Sequence, residues 1–477
     1  MKALIMAGGF GTRLRPLTAH VPKPMVPVGN VPIMEHTVRL LCRHGFTDLQ
    51  ALLYFLPERI TGHFGDGSRL GVTLQYVTPT ADLGTAGAVK FAVGAPSGSI
   101  LVISGDVLTD FDLGAALAFH RERGAEATMV LTRVQHPLPY GIVITDEAGG
   151  ITRFLEKPGW GEVFSDTINT GIYILEPSVF DAIPAHREYD FGKELFPALL
   201  AAGRSLYGHV AEGYWRDVGD LTEYRLAHLD LLQGRLRAEI PGRRLVGTPH
   251  TVWVDDSAQV NSAAALKGAV IVGRGARLEA GCRVADSVIG PGAVVGEGAE
   301  VTGSILWEEA RVGPGAVLKE AIVGRGATVR AKAFLAEGVV VGDFSKIGES
   351  SELRANVKVW PYKEVEDGAT LAVSLVWGER WSRALFGRYG VTGLANVEVS
   401  PEFASKVGAA FGAGLGKRRA VITSRDHHKT SRMINRALMA GLLSVGIDVH
   451  DVGVAPIPVV RYQIPALGLA GGSHVRK

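Results

Sequence analysis

Seven residues near the N-terminus, Gly8-Gly9-Phe10-Gly11-Thr12-Arg13-Leu14, are of the types that hold a polyphosphate. Glycines let the backbone turn sharply and present successive N–H groups to phosphate oxygens. Gly8, Gly9, Gly11 and Thr12 form the candidate cradle, and Arg13 adds a permanently charged fork. Lys23 follows, its backbone stiffened by Pro22 and Pro24. A dinucleotide fingerprint would need a third glycine where Leu14 stands, and no P-loop Gly-Lys-Ser/Thr is present. Alone, this segment supports a phosphate-binding turn or a purely structural glycine turn. Asp106 closes an apolar run, where a carboxylate either holds Mg²⁺ or caps a turn.

These residues need elements to position them. Ala3–Met6, Leu49–Tyr54, Leu74–Val77, Ile100–Ser104, Ala127–Arg133 and Ile168–Leu175 have the pattern of buried strands. Met34–His44 and Leu113–Arg123 have that of amphipathic helices. The alternation predicts a mostly parallel sheet with helices on both faces and a site at the carboxyl ends of the strands.

From about residue 251 the period changes to six. Val254, Val260, Leu266, Val272, Leu278 and Val284 form one series; Ile289, Val295 and Val301 follow, then Leu306, Val312 and Leu318. A last series runs Val323, Val329, Leu335, Val341, Ile347, Leu353, Val359 and Val365. One inward aliphatic per short strand, with small residues at the corners, predicts a β-helix of hexapeptides with three rungs to a coil. Beyond residue 371, Arg419–Thr423 and Asp448–Gly453 read as strands around a helix at Arg432–Ser444, with Gly446 at its end. The expected division is 1–232, a linker at 233–250, the β-helix at 251–366, and a last α/β segment at 371–477.

Composition sets bounds on function. At 477 residues, 47% hydrophobic and 21% charged, the chain is an ordinary globular one of several domains. A net charge of +2 gives no reason to expect nucleic acid or an anionic membrane as partner. Cys42 and Cys282 imply neither a disulfide framework nor a zinc site. With no secretory leader pattern and no membrane span, the expectation is a cytoplasmic protein.

The segment GGFGTRLRPLT…PKPMVPVGNVPI resembles the signature of the sugar-1-phosphate nucleotidyltransferases, whose members make GDP-mannose, dTDP-glucose, UDP-glucose and ADP-glucose. The likeness continues through Leu83-Gly84-Thr85-Ala86-Gly87, Ser104-Gly105-Asp106, Tyr140-Gly141, Glu156-Lys157-Pro158, Asn169-Thr170-Gly171 and Trp215-Arg216-Asp217-Val218-Gly219. The resemblance implies a Rossmann-like domain in which a sugar phosphate oxygen attacks the α-phosphorus of an NTP and pyrophosphate leaves. It assigns catalysis to Arg13, Lys23, Asp106 and Asp217, with Mg²⁺ on the two aspartates. Gly84, Thr85 and Gly87 would lie against the base, Lys157 would meet the sugar's phosphate, and Glu156, Gly141 and Asn169 would line the sugar pocket. GTP and mannose 1-phosphate are the favoured substrates. The alternatives are a glucose-1-phosphate uridylyl-, thymidylyl- or adenylyltransferase, or a non-catalytic regulatory homologue that binds a nucleotide sugar.

The hexad segment resembles the left-handed β-helix of hexapeptide-repeat proteins. Acyltransferases of that fold use a histidine, and none occurs between His250 and His427, so the coil is expected to serve packing and homo-oligomerisation. Phe386–Gly393, Ser424-Arg425-Asp426 and Gly453–Pro458 resemble the first domain of the phosphohexomutases. Ser473, before His474, stands where that family carries its transferable phosphate. The family's Asn-Pro is replaced by Val475-Arg476, and three further mutase domains do not follow, so a vestigial or fragmentary domain without mutase turnover is expected.

Overall fold

The computed structural model describes residues 1–477 except 80, 186, 247–248, 377–379, 382–384, 387–389 and 417. Part of the Phe386–Gly393 motif, Gly387 to Tyr389, thus lies outside the described residues. Two compact units result: Met1–Tyr362 with Leu371–Val373, and Lys363–Thr370 with Ser374–Lys477.

In the first unit, strand β1 (Lys2–Ala7) leads through the glycine loop to helix α1 (Ile33–Arg43) and strand β2 (Asp48–Leu53). Then come β3 (Thr73–Val77), α2 (Gly84–Val93), β4 (Ile100–Ser104), β5 (Val107–Thr109), α3 (Leu113–Glu122) and β6 (Ala127–Arg133). The N-terminal half of this unit closes with β7 (Gly141–Thr145), β8 (Ile151–Glu156), β9 (Thr167–Leu175), β10 (Leu206–Val210), β11 (Trp215–Asp217) and α4 (Leu221–Leu232). The main sheet runs β8-β7-β9-β4-β1-β2-β3, with β6 on β9 and β10 on β6. Alternate residues face opposite layers, as a strand's period of two requires. Ile5, Leu101 and Ile103 pack with α1 and α3, whereas Leu4, Ile100 and Val102 pack with α2.

The expectation of a mostly parallel sheet needs correction. The β1–β2, β1–β4, β2–β3 and β6–β10 pairs are parallel, but β9 runs antiparallel to β4, β6 and β7, and β7–β8 is an antiparallel hairpin. The short Asp146–Gly150 turn, in which Asp146 accepts the Ala148 and Gly150 amides, can return the chain only antiparallel.

The hexad segment is a parallel β-helix. Partners lie 17 residues apart where the series takes five-residue steps (Val284↔Val301, Val301↔Leu318) and 18 apart afterwards (Leu335↔Leu353). Rungs from Val272 to Val359 are buried. The first three are not: Val254 and Leu266 are half-buried and Val260 is 36% exposed, because no coil lies beneath the first. Just before each rung of one face stand Ile271, Val288, Ile305, Ile322 and Val340, pointing outward. They form an apolar column that shares one core with Tyr224 and Leu231 of α4 and with Leu14 and Leu17 behind the glycine loop. Trp307 Nε1 donates to Tyr224 Oη at 2.9 Å, and Tyr224 Oη donates to Pro27 O at 2.7 Å. Asn30 Nδ2 donates to Ile289 O at 2.9 Å. The coil therefore braces the chain that follows Lys23.

The second unit carries α5 (Pro401–Leu415), β12 (Ala420–Arg425), α6 (Lys429–Ser444), β13 (Asp448–Val454), α7 (Ile457–Ala466) and β14 (Gly471–Val475), with a parallel sheet ordered β13-β12-β14. Gly446, at φ +80°, ends the α6 turn. A β-carbon on Gly441 would stand 1.9 Å from Ser405 O, so the α5–α6 crossing requires glycine.

Candidate active site

The glycine loop leaves the carboxyl end of β1. Gly11 takes left-handed backbone (φ +60°) to start a tight turn over Thr12–Leu14, where Leu14 is buried while Thr12 and Arg13 are exposed. Thr18 Oγ1 donates to Gly11 O at 2.7 Å and fixes the loop's base. Open space stands where a Gly9 side chain would be, leaving the Gly8-Gly9 backbone accessible. A β-carbon on Gly219 would lie 3.3 Å from an Arg13 guanidinium nitrogen, which places Arg13 beside the Asp217–Gly219 turn.

Three residues far apart in sequence converge next to this loop. Lys23 Nζ stands 2.5 Å from Asp106 Oδ2 and 3.2 Å from Asp217 Oδ1. Asp106 follows β4 through Gly105, where a β-carbon would lie 3.0 Å from both Ile5 Cγ2 and Met6 O, so glycine lets the chain pass close to β1. Asp217 ends β11, which pairs antiparallel with β5 so that Asp217 lies opposite Val107. That two-stranded ribbon is what joins positions 106 and 217. Ser104 Oγ donates to Asp106 Oδ1 at 2.6 Å and orients that carboxylate.

Burial pushes the carboxyls up and the ammonium down, and the charges answer unequally. Burial raises Asp106, but the Lys23 ammonium outweighs it and holds that carboxyl below its ordinary value. Burial also raises Asp217, which shares the same ammonium and faces the Asp106 charge, and it ends above its ordinary value. Lys23 itself, despite its burial, is held above the usual lysine value by the two carboxylates. Two carboxylates against one ammonium leave the cluster one charge short of neutrality. Among the described residues no third histidine, cysteine or carboxylate joins them as a metal-ligating group. Such a donor set fits Mg²⁺, which takes one or two carboxylates and completes its shell with phosphate oxygens and water.

The other predicted residues form a second patch. Glu156 Oε2 would lie 2.6 Å from a β-carbon on Gly141 and equally from one on Gly192, so both glycines make room for this carboxylate. Burial raises the Glu156 carboxyl. Lys157 is exposed on left-handed backbone (φ +47°). Asn169 Nδ2 donates to Tyr173 Oη at 2.9 Å while its Oδ1 accepts the Gly171 amide. Gly84 and Gly87 sit at the start of α2, where β-carbons would strike Tyr189 O at 2.7 Å and Arg187 O at 2.9 Å. Thr85 Oγ1 bridges Asp190 Oδ2 and the Phe191 amide, both at 2.9 Å. These three residues therefore hold the Arg187–Phe191 segment against α2.

Three similarities accompany this geometry. Residues 2–234 match the Nucleotidyl transferase family model, 249–377 the EIF2B subunit epsilon LbH domain, and 383–476 the phosphoglucomutase/phosphomannomutase alpha/beta/alpha domain I. A mannose-1-phosphate guanylyltransferase of Mycobacterium tuberculosis is 38% identical over 289 residues, covering 60% of this chain and 79% of that protein. The chain belongs to the sugar-1-phosphate nucleotidyltransferases. A UTP–glucose-1-phosphate uridylyltransferase of Synechocystis is 37% identical (61% of this chain, 79% of that one), and a probable mannose-1-phosphate guanylyltransferase of Oryza sativa 36% (60% and 80%).

As a member of this family, the protein transfers a nucleotidyl group to a sugar 1-phosphate, a reaction that the family carries out with a divalent metal. Sequence reasoning missed two supports of the candidate site. Tyr140 packs edge-on against Trp215, with centroids 5.2 Å apart; burial, then the Asp217 charge, pushes its hydroxyl up to about 12. It links the Glu156 patch to the Lys23 cluster. Arg216 is turned away from the site: its Nη2 meets Asp230 Oδ2 at 2.8 Å and its Nε meets Tyr214 Oη at 3.0 Å, anchoring β11 to α4. Both residues lie inside motifs, but only their neighbours in space distinguish their tasks.

In the second unit Ser473 lies on β14 opposite Thr423, its Oγ buried and without a hydrogen-bond partner among the described residues. His474 Nδ1 pairs instead with Ser424 Oγ at 2.7 Å. No helix among the described residues is long and apolar enough to cross a membrane.

Proposed function

We propose that this chain transfers guanylyl from GTP to mannose 1-phosphate, giving GDP-mannose and pyrophosphate in the cytoplasm. The observation that carries the site is the convergence of Lys23, Asp106 and Asp217 beside an accessible glycine loop. The guanylyltransferase relatives support the base and sugar, and the uridylyltransferase relative motivates the second reading, uridylyl transfer to glucose 1-phosphate.

In this reading the Gly8–Thr12 backbone receives the triphosphate and Arg13 meets the leaving pyrophosphate. Lys23 neutralises charge at the α-phosphate, where positioning and electrostatics do most of the catalytic work. Lys157 meets the phosphate of the sugar, Glu156 accepts from sugar hydroxyls, and Gly141 and Asn169 shape the pocket around it. Gly84, Thr85 and Gly87 serve the base by holding the α2 entrance tightly beneath Tyr189. Asp106 and Asp217 hold Mg²⁺, which when bound supplies Lewis-acid stabilisation of phosphate oxygens. One face of the β-helix is taken up within the chain, and its other faces serve self-association.

A pyrophosphate-release panel of GTP, UTP, dTTP and ATP against mannose and glucose 1-phosphates tests this. Highest kcat/KM for GTP with mannose 1-phosphate is expected. A maximum at UTP with glucose 1-phosphate selects the second reading, and no turnover with any pair selects the regulatory homologue.

A further inference from the structure

Lys23 has polar contacts of one kind. Among the described residues its Nζ meets only the Asp106 and Asp217 carboxylates, and its side chain is 7% exposed. It stands between the two carboxylates that would hold a divalent ion. A divalent cation and an ammonium held by the same two carboxylates would be like charges in close proximity and would compete for them.

The stem of Lys23 decides where the ammonium goes. Lys23 lies between buried Pro22 and Pro24 in a turn closed by Met25 N–H to Pro22 O at 2.8 Å and Val26 N–H to Lys23 O at 3.1 Å. Its Cβ would lie 3.0 Å from a β-carbon on Gly11, so the inner stem is seated against the glycine loop. Its Cγ would lie 3.5 Å from the same β-carbon, so the stem runs alongside the glycine loop towards the two carboxylates.

Resting on the metal-pair reading above, we propose that the Lys23 ammonium is the resident counter-cation of Asp106 and Asp217, which the divalent metal displaces onto the nucleotide phosphate. Metal binding and phosphate capture by Lys23 are then one exchange. The empty site stays paired, the metal alone binds weakly, and Lys23 becomes available as metal and nucleotide arrive together.

The test is Mn²⁺ binding to the full chain without nucleotide, by calorimetry. Lys23→Met removes the competing cation, and its Kd for Mn²⁺ is expected to fall at least about tenfold below wild type; an unchanged or higher Kd overturns the exchange. Asp106→Asn added to Lys23→Met is expected to abolish that binding. Retained affinity there overturns the metal-pair assignment and the exchange with it, whereas loss there without the Lys23→Met gain overturns the exchange alone. Should Lys23→Met not fold, acetylation of wild-type Lys23 followed by peptide mass spectrometry decides. It is expected to accelerate with Mn²⁺, and labelling that ignores Mn²⁺ overturns the proposal.

Discussion

The nucleotidyltransferase half and the mutase-like segment both carry motifs of phosphate chemistry, and they differ in what the fold does with them. In the first, positions 23, 106 and 217 are drawn to one point by a turn, a strand end and a ribbon, and the charges there shift one another. In the second, the Ser473 Oγ is buried without a hydrogen-bond partner among the described residues, and the neighbouring histidine is engaged by Ser424. A motif becomes a site when partners distant in sequence converge on it. The β-helix repeats the lesson structurally: identical rung positions are buried in the stacked coils and open in the first.

Asp106→Asn should break the comparison most severely. Metal-dependent turnover should fall by about 10³-fold or more while far-UV circular dichroism stays native; unchanged kcat would make the first cluster as idle as the second. Within the coil, Leu335→Ala should lower stability by about 2–5 kcal/mol in urea unfolding, because it empties a sealed rung. Val260→Ala, at the open rung, should cost less than about 1 kcal/mol, and equal losses would refute the distinction.

Acid should reach the core that joins α4 to the coil. Burial lowers His228 to about 4, below its unfolded value, so the unfolded chain binds the proton first. Its contribution is complete above about pH 6.5 and is lost as pH falls towards 4, by up to about 3 kcal/mol. His228→Gln should flatten the urea midpoint across that window, and an unaltered slope would contradict this. Smallest of all, Ser473→Ala should leave pyrophosphate release unchanged; a marked fall would show that the second region contributes to the first.

Much of this was legible in sequence because it depends on local pattern. Short apolar runs marked the buried strands, period six marked the coil, and the glycine-arginine loop marked the phosphate end. The antiparallel β9 was not legible, since alternation of strands and helices does not encode strand direction. Nor was the task of Arg216, whose partner Asp230 is set by the packing of α4. The outward column from Ile271 to Val340 is one residue out of phase with the rungs, and only the covering helix explains its apolar character. Gly84 and Gly87 carry a steric demand from Tyr189 and Arg187, a hundred residues on, that no spacing near them reveals.

Lys23, Asp106 and Asp217 are proposed here as the centre for nucleotidyl transfer to a sugar phosphate. Phosphorus NMR of the protein with GTP, mannose 1-phosphate and Mg²⁺ observes that transfer directly. A pair of coupled diphosphate signals from GDP-mannose is expected to grow in step with pyrophosphate, without free GDP or inorganic phosphate. No diphosphate product from this pair, nor from any other nucleotide with mannose or glucose 1-phosphate, would contradict it.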